Sequence, residues 1–469
     1  MKISFGTDGW RGIISRDVTF DNVETIAQAY ADYIINQENG KKGVVIGYDT
    51  RFLSREYAHA AACVLAANEI PVFLTAKATA TPVVSYSVKY LGLAGGLVVT
   101  ASHNPALYNG IKIKGWYGGS ATPEMTREIA AFIKRNPVKR KPDLSLINLF
   151  DADSDYMGHI KKLINWQAIK NSGLRVMIDP MYGAGTGYLR SFLESLGICV
   201  KEIHDNFNPG FGNVPPEPVE GNLAELKDAV VAGKYYAGFA TDGDADRVGV
   251  VDAEGKYINA QEIFALLLWH QLRQGKGSGA VGKTFSTTRM IEKMAAKYRI
   301  DVWETPIGFK YLIPLFIQEK IFMGGEESGG IGWKVHLPER DGILNSLLLM
   351  EAMSCRERTL GEMIQEIRED IGPHYYQRKD LTLEDSCPDQ IINKNKNTLI
   401  RELAEGNDYR VEELDGLKII YTPSRWMLFR ASGTEPVIRL YAEAESEKLV
   451  KKMLNTAEEI VITLGKHKQ

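Results

Sequence analysis

Three times along the chain an apolar run of strand length ends in a polar, glycine-rich loop, and this recurrence restricts the fold more than any other feature. Gly96 to Thr100 leads into Ala101-Ser102-His103-Asn104-Pro105. Tyr236 to Ala240 leads into Thr241-Asp242-Gly243-Asp244-Ala245-Asp246-Arg247, and Lys320 to Met323 into Gly324-Gly325-Glu326-Glu327-Ser328-Gly329-Gly330. Helical patterns such as Val23 to Ile35 and Glu56 to Asn68 alternate with short apolar runs such as Gly43 to Gly47. That is the rhythm of βα units on a largely parallel sheet. Loops at the carboxyl ends of parallel strands are where open α/β sheets bind ligands, so the three loops are expected to face one cleft.

With 469 residues the chain buries several cores, and changes of pattern divide it into four domains. The expected boundaries give 1–150, 151–253, 254–371 and 372–469. The Pro/Lys/Arg-rich stretch Asn136 to Asp143 marks the first, a strand at Leu174 to Asp179 leads the second domain, and the helix Ala260 to Leu272 opens the third. Gly372-Pro373 breaks the chain before short strands, Arg425 to Arg430 and Val437 to Ala442, and a helix from Glu447 to Leu464. The expected class is α/β: three related α/β units with mixed sheets and a small C-terminal α+β domain around a central cleft. A net charge of -3 without long basic runs excludes a nucleic-acid partner. The four cysteines, Cys63, Cys199, Cys355 and Cys387, form no CxxC pair, which fits reduced thiols in the cytoplasm. No apolar segment approaches a bilayer span, so no membrane partner is expected.

The loops carry chemistry. Asp242, Asp244 and Asp246 alternate with Gly243 and Ala245, leaving the backbone free to fold carboxylate oxygens around one hard cation, for which Mg2+ is suited. A calcium loop of the EF-hand type would need Gly and Glu where Arg247 and Ala253 stand. Ser102 is a candidate hydroxyl nucleophile, with His103 and Lys112 as candidate acid/base groups. The same segment also reads as ordinary turn chemistry. Arg430-Ala431-Ser432-Gly433-Thr434, with Arg439 beyond it, makes a phosphate cradle of hydroxyls, a glycine and flanking guanidinium groups. Glu326 and Ser328 offer acceptors for sugar hydroxyls.

Two other motifs mislead. Gly277 to Thr284 has the letter spacing of a P-loop, but a helix precedes it and Ala280 to Ser286 reads as the strand itself. Gly183-Ala184-Gly185-Thr186-Gly187 is one residue short of a dinucleotide fingerprint, with Tyr188 where the last glycine belongs, and reads as a βα turn.

Taken in order with the opening Gly6-Thr-Asp-Gly-Trp-Arg11-Gly, these loops resemble the α-D-phosphohexomutase superfamily along the whole chain. The resemblance implies that Ser102 is phosphorylated in the active enzyme and joins Asp242, Asp244 and Asp246 around Mg2+. It gives Lys112, Arg247 and Arg11 charged roles at the transfer site, Glu326 and Ser328 the sugar, and Arg430, Ser432, Gly433 and Thr434 the distal phosphate. It further implies a bisphosphorylated sugar intermediate, glucose 1,6-bisphosphate or its cognate as activator, and a last domain acting as lid.

Thr305 to Lys310, which includes Gly308 and Lys310, is similar to the phosphoglucomutase branch, so hexose 1-phosphate and hexose 6-phosphate of glucose are the leading substrates. Mannose- and amino-sugar-specific relatives usually carry histidine where this chain has Gly330, which leaves the second acid/base to His336 or Lys310. The segment Pro338 to Gly342, with Arg340, is expected to face substrate. Alternatives of the same mechanism are phosphomannomutase, phosphoglucosamine mutase and phosphopentomutase; one of a different class is a non-catalytic sugar-phosphate binding protein.

Overall fold

The computed structural model describes residues 3–6, 8–382, 388–404, 408–431 and 437–466. Contacts divide the chain into two compact units, Met1–Gly279 with Gly308–Glu362, and Ala280–Ile307 with Met363–Gln469.

The first unit holds a six-stranded sheet in the order Trp10–Ile13, Tyr108–Gly115, Gly95–Val99, Val44–Tyr48, Val72–Thr75 and Ile147–Phe150. Its middle is parallel and buried on both faces, which explains unbroken apolar runs such as Val44–Tyr48. The helix Phe20–Asn36 starts where the Thr19 side chain accepts the Asn22 N–H, and it buries Val23, Ile26, Ala27, Tyr30, Ala31 and Ile34. Each valine or isoleucine of this face contributes about 1.5–3 kcal/mol when removed from water. A second sheet runs Tyr257–Ile258, Val248–Asp252, Ala237–Thr241, Arg175–Asp179 and Cys199–Glu202. Three further strands, Ile321–Gly325, Ile331–Trp333 and Leu337–Arg340, pair antiparallel in that order.

Each of the three functional loops turns a strand back on itself, which gives the mixed sheets expected. Gly95–Val99 returns as antiparallel Tyr108–Gly115, Ala237–Thr241 as Val248–Asp252, and Ile321–Gly325 as Ile331–Trp333. In the first two sheets the outgoing strand pairs parallel with a neighbour, so the loop still lies at the carboxyl end of a parallel strand. The return strand then brings a second row of side chains, Lys112 among them, to that end.

In the second unit Ala280–Thr284 and Val302–Thr305 pair parallel, with the helix Met290–Tyr298 between them. Lys283 lies inside the first of these strands, buried and paired with Glu292 at 2.8 Å and Glu304 at 3.2 Å, so the P-loop spelling has no phosphate-binding geometry. The C-terminal sheet is antiparallel throughout, ordered Tyr375–Thr382, Val437–Ala444, Arg425–Ala431, Leu417–Thr422 and Arg410–Glu412, with the helix Glu447–Lys466 packed on it.

Candidate active site

Ser102 occupies a left-handed backbone conformation, φ 53°, which costs a residue with a Cβ roughly 1 kcal/mol or more. Its surroundings impose it. The Ser102 N–H donates to Thr100 Oγ1 at 2.8 Å, and its carbonyl accepts from Arg51 at 2.6 Å. The same guanidinium donates to the carbonyls of Asn104, Pro105 and Tyr108 and is paired with buried Asp49 at 3.0 Å, so one arginine shapes the whole loop.

The Ser102 hydroxyl donates to Asp242 Oδ2 at 2.7 Å. The two loops meet main chain to main chain, because a Cβ at Gly243 would stand 2.5 Å from the Ser102 carbonyl oxygen. The aspartate loop is itself anchored from several sides. Asp242 Oδ1 accepts the N–H groups of Asp246 and Arg247 at 3.0 and 3.1 Å. Thr81 donates its N–H to the Asp244 carbonyl and its hydroxyl to Asp244 Oδ2. Ala184, in the expected βα turn, donates to the Gly243 carbonyl at 2.9 Å, and Gly342 donates to that of Ala245 at 3.0 Å.

Cations surround these carboxylates. Lys112 Nζ lies 2.6 Å from Asp246, 2.7 Å from Asp244 and 3.0 Å from Asp8. Arg340 reaches Asp8 at 2.6 Å and Asp246 at 2.8 Å. Arg247 stands 3.6 Å from Glu217 and 3.9 Å from Asp246, and Arg11 donates to the Asn104 side chain at 2.8 Å. Burial and the charges of Asp246 and Asp244 push the Asp242 carboxyl well above the usual range. Asp244 is also buried, but the Lys112 ammonium outweighs that and holds it below the usual range. Burial, then the charges of Arg247, Arg11 and Lys112, drives the His103 imidazole well down, so it is neutral, and its Nδ1 is buried without a hydrogen-bond partner.

The donor set fits a divalent cation. One oxygen from each of Asp242, Asp244 and Asp246 lies within 4.8 Å of the others, and Asp244 Oδ1 and Asp246 Oδ1 are buried with no hydrogen-bond partner. Buried carboxylate oxygens left open are costly unless a ligand takes them, and an all-oxygen set suits Mg2+.

The other expected residues divide. Glu326, at the start of the third loop, is buried 3.5 Å from Arg340, and burial raises its carboxyl to about 7. Ser328 sits in the turn closed by the Gly329 N–H on the Glu326 carbonyl. Lys310, half-buried in the short turn that follows Gly308, has its Nζ 3.5 Å from the Gly6 carbonyl. His336 must be corrected: it is buried with Nε2 on Asp341 at 2.9 Å and Nδ1 on His159 at 3.0 Å, so neither nitrogen faces a ligand. In the second unit Arg430 and Arg439 are register partners on adjacent strands, near Asp415 and Asp380 respectively. Ser432, Gly433 and Thr434 lie outside the described residues.

Sequence reasoning missed Asp8, Thr81 and the Asp49–Arg51 pair. Asp8 had a signal, sitting three residues before Arg11 in the opening motif, and Asp49-Thr50-Arg51 follows an apolar strand as the three recognised loops do. Thr81 had none.

Comparison with known proteins follows the same order of parts. Residues 2–139, 122–255 and 259–370 match the phosphoglucomutase/phosphomannomutase alpha/beta/alpha domains I, II and III, and 391–460 match the C-terminal domain. The chain belongs to the phosphoglucomutase/phosphomannomutase family. It is 30% identical to a phosphoglucomutase/phosphomannomutase of Thermococcus kodakarensis, over 96% of each chain. It is also 30% identical to a phosphoglucosamine/phosphogalactosamine mutase of Sulfurisphaera tokodaii, over 97% of this chain and 98% of that one. A crystal structure from Thermus thermophilus, described as a phosphomannomutase, superposes with a TM-score of 0.88 at 35% identity, covering 98% and 99% of the two chains. This phosphohexomutase is thus an enzyme of the α-D-phosphohexomutase superfamily with its four domain types in order. No helix among its described residues is long and apolar enough to cross a membrane.

Proposed function

We propose that the enzyme interconverts hexose 1-phosphate and hexose 6-phosphate, glucose being the favoured sugar, with Ser102 as the phosphoryl carrier. The observation that carries this reading is the 2.7 Å contact between the Ser102 hydroxyl and Asp242, a member of a buried trio with open oxygens. Phosphorylated Ser102, Asp242, Asp244 and Asp246 would hold Mg2+. When bound, the ion neutralises charge on the transferring phosphoryl group.

In the forward half-reaction the P–O bond to Ser102 Oγ breaks as the sugar hydroxyl oxygen forms a new P–O bond, and the proton which that hydroxyl gives up is balanced by one returned to Ser102 Oγ, which is left as a free hydroxyl. His103, with a buried ring nitrogen that has no partner, is placed to take the proton more readily than Lys112, whose ammonium three carboxylates already hold. Lys112, Arg247 and Arg11 stabilise charge on the phosphoryl oxygens. The bisphosphorylated sugar then returns its other phosphate to Ser102, with glucose 1,6-bisphosphate or its cognate as activator. Glu326, Ser328, Gly308 and Lys310 would read the sugar, and Arg430, Arg439, Ser432, Gly433 and Thr434 the distal phosphate.

Relatives named as phosphoglucosamine mutases favour an amino sugar as the second reading. Intact-mass analysis tests the carrier: a fractional increment of one phosphate, absent from Ser102→Ala, is expected, and an increment that survives the substitution overturns the assignment. A panel of glucose, mannose, glucosamine and pentose 1-phosphates, each with catalytic bisphosphate, tests the sugar; no turnover with any of them would leave a sugar-phosphate binding protein.

A further inference from the structure

The turn that follows the strand Arg175–Asp179 touches the supports of both reacting loops and is built in a costly conformation. Met181 and Tyr182 are consecutive left-handed residues, φ 49° and 59°, and neither is glycine. The Tyr182 carbonyl accepts the Thr50 hydroxyl at 2.7 Å, and Thr50 stands between Asp49 and Arg51, the pair that shapes the Ser102 loop. Two residues on, the Ala184 N–H donates to the Gly243 carbonyl at 2.9 Å, and a Cβ at Gly183 would stand 2.8 Å from the same oxygen. One strained turn thus meets the support of the serine loop on one side and the main chain of the aspartate loop on the other.

His204 holds that strain in place. Its carbonyl, in a residue itself left-handed at φ 53°, accepts the Tyr182 N–H at 3.0 Å, and its ring centre lies 4.6 Å from that of Tyr182. Its Nδ1 is 3.0 Å from Asp179 Oδ1, the same oxygen that accepts the Met181 N–H at 2.7 Å. Its Nε2 faces the exposed Glu225 carboxylate at 3.0 Å, so both ring nitrogens point at acceptors and both carry protons. In keeping with this, the hydrogen bond to Asp179 raises the imidazole to about 9. We propose that His204 is a positioning residue for phosphoryl transfer, fixing through buried Asp179 and the Tyr182 amide the turn against which the serine and aspartate loops are set. This rests on the mutase reading above. A misplacement of about 1 Å between reacting groups costs about a hundredfold in rate, so a loosened turn lowers kcat. KM is spared, because none of these contacts is made to the sugar phosphate.

The test compares His204→Ala, His204→Asn and Thr50→Val by kcat and KM, by magnesium titration calorimetry and by thermal melting. Asparagine tolerates a left-handed backbone and keeps a side-chain N–H donor for Asp179. His204→Ala is expected to lower kcat about thirtyfold, leave KM within about twofold and weaken Mg2+ binding about fivefold, while His204→Asn restores kcat to within about threefold of the parent. Thr50→Val, which releases only the serine side, should lower kcat about fivefold and leave magnesium affinity as it was. Both act through Tyr182, so adding Thr50→Val to His204→Ala should cost less than about twofold more. A histidine with a structural role alone would lower the melting temperature and leave kcat of the folded protein unchanged. That result, losses that multiply in the double variant, or no recovery in His204→Asn overturns the proposal. Should His204→Ala fail to fold, His204→Gln, whose longer amide reaches toward Glu225 instead of Asp179, takes its place with the same expectations. Absence of turnover in the unsubstituted enzyme would sink the mutase reading, while the magnesium titrations would still judge whether the turn sets the aspartate loop.

Discussion

The aspartate cluster of the first unit and the cluster around Glu443 in the second bury carboxylates equally well but complete them differently. Glu443 accepts from the Arg289 N–H at 2.9 Å, the Trp426 indole at 2.5 Å, the His374 ring at 3.1 Å and the Thr288 hydroxyl. Burial works against its ionisation, yet His374 and these donors hold it below the usual range. Asp244 and Asp246 each keep a buried oxygen without a hydrogen-bond partner, beside a serine in a strained backbone conformation. The Glu443 arrangement fastens strands together; the aspartate arrangement reserves bonding capacity for something that arrives.

Substitutions that reverse this contrast would break it. Asp244→Asn is expected to reduce turnover about a thousandfold and abolish magnesium-dependent stabilisation, while the melting of the metal-free protein changes little. A large loss of metal-free stability would mean that the trio is structural after all. Glu443→Ala should do the opposite, costing about 3–5 kcal/mol in denaturant unfolding with no change in magnesium affinity, because a buried indole, imidazole and amide lose their acceptor.

Lys418 sharpens the contrast within the second unit. It is buried between Phe285 and Trp426, its ring distances 4.6 and 4.5 Å, and donates to the Phe285 carbonyl at 2.8 Å. Burial, aided by the charge of Lys283, pushes its ammonium from 10.5 down to about 8. The unfolded chain binds that proton more readily, so Lys418 makes stability rise as pH increases from about 8 to 10.5, by up to about 3 kcal/mol. Lys418→Met should remove that rise, and an unaltered pH dependence would show the slope to come from elsewhere. The smallest effect is expected at Glu326. If the carboxylate form accepts sugar hydroxyls, kcat/KM falls as pH drops below about 7, and Glu326→Gln loses about tenfold in kcat/KM for the preferred sugar and flattens the profile.

The sequence made the strand-and-loop recurrence visible, and with it Ser102 and the three aspartates, because apolar runs ending in polar loops leave a one-dimensional trace. The helix expected over Val23 to Ile35 spans Phe20–Asn36, and the strand expected from Leu174 to Asp179 spans Arg175–Asp179, so periodicity placed the elements and missed only their ends. What it hid was partnership at a distance. Nothing near His336 announces that Asp341 and His159 occupy both its nitrogens, nor does Thr81 advertise a partner in Asp244, 163 positions away. The antiparallel direction of the returning strands was equally hidden, since a strand reads alike in either direction.

The close approach at Gly243 has a consequence for how this enzyme can change over evolutionary time. With backbone abutting backbone between the serine and aspartate loops, the approach of the two main chains does not depend on the side chains around them, and drift in those side chains leaves it in place. The third hairpin is built from other strands, so under the proposed function substitutions there would alter sugar preference while the approach of the serine and aspartate loops stays fixed.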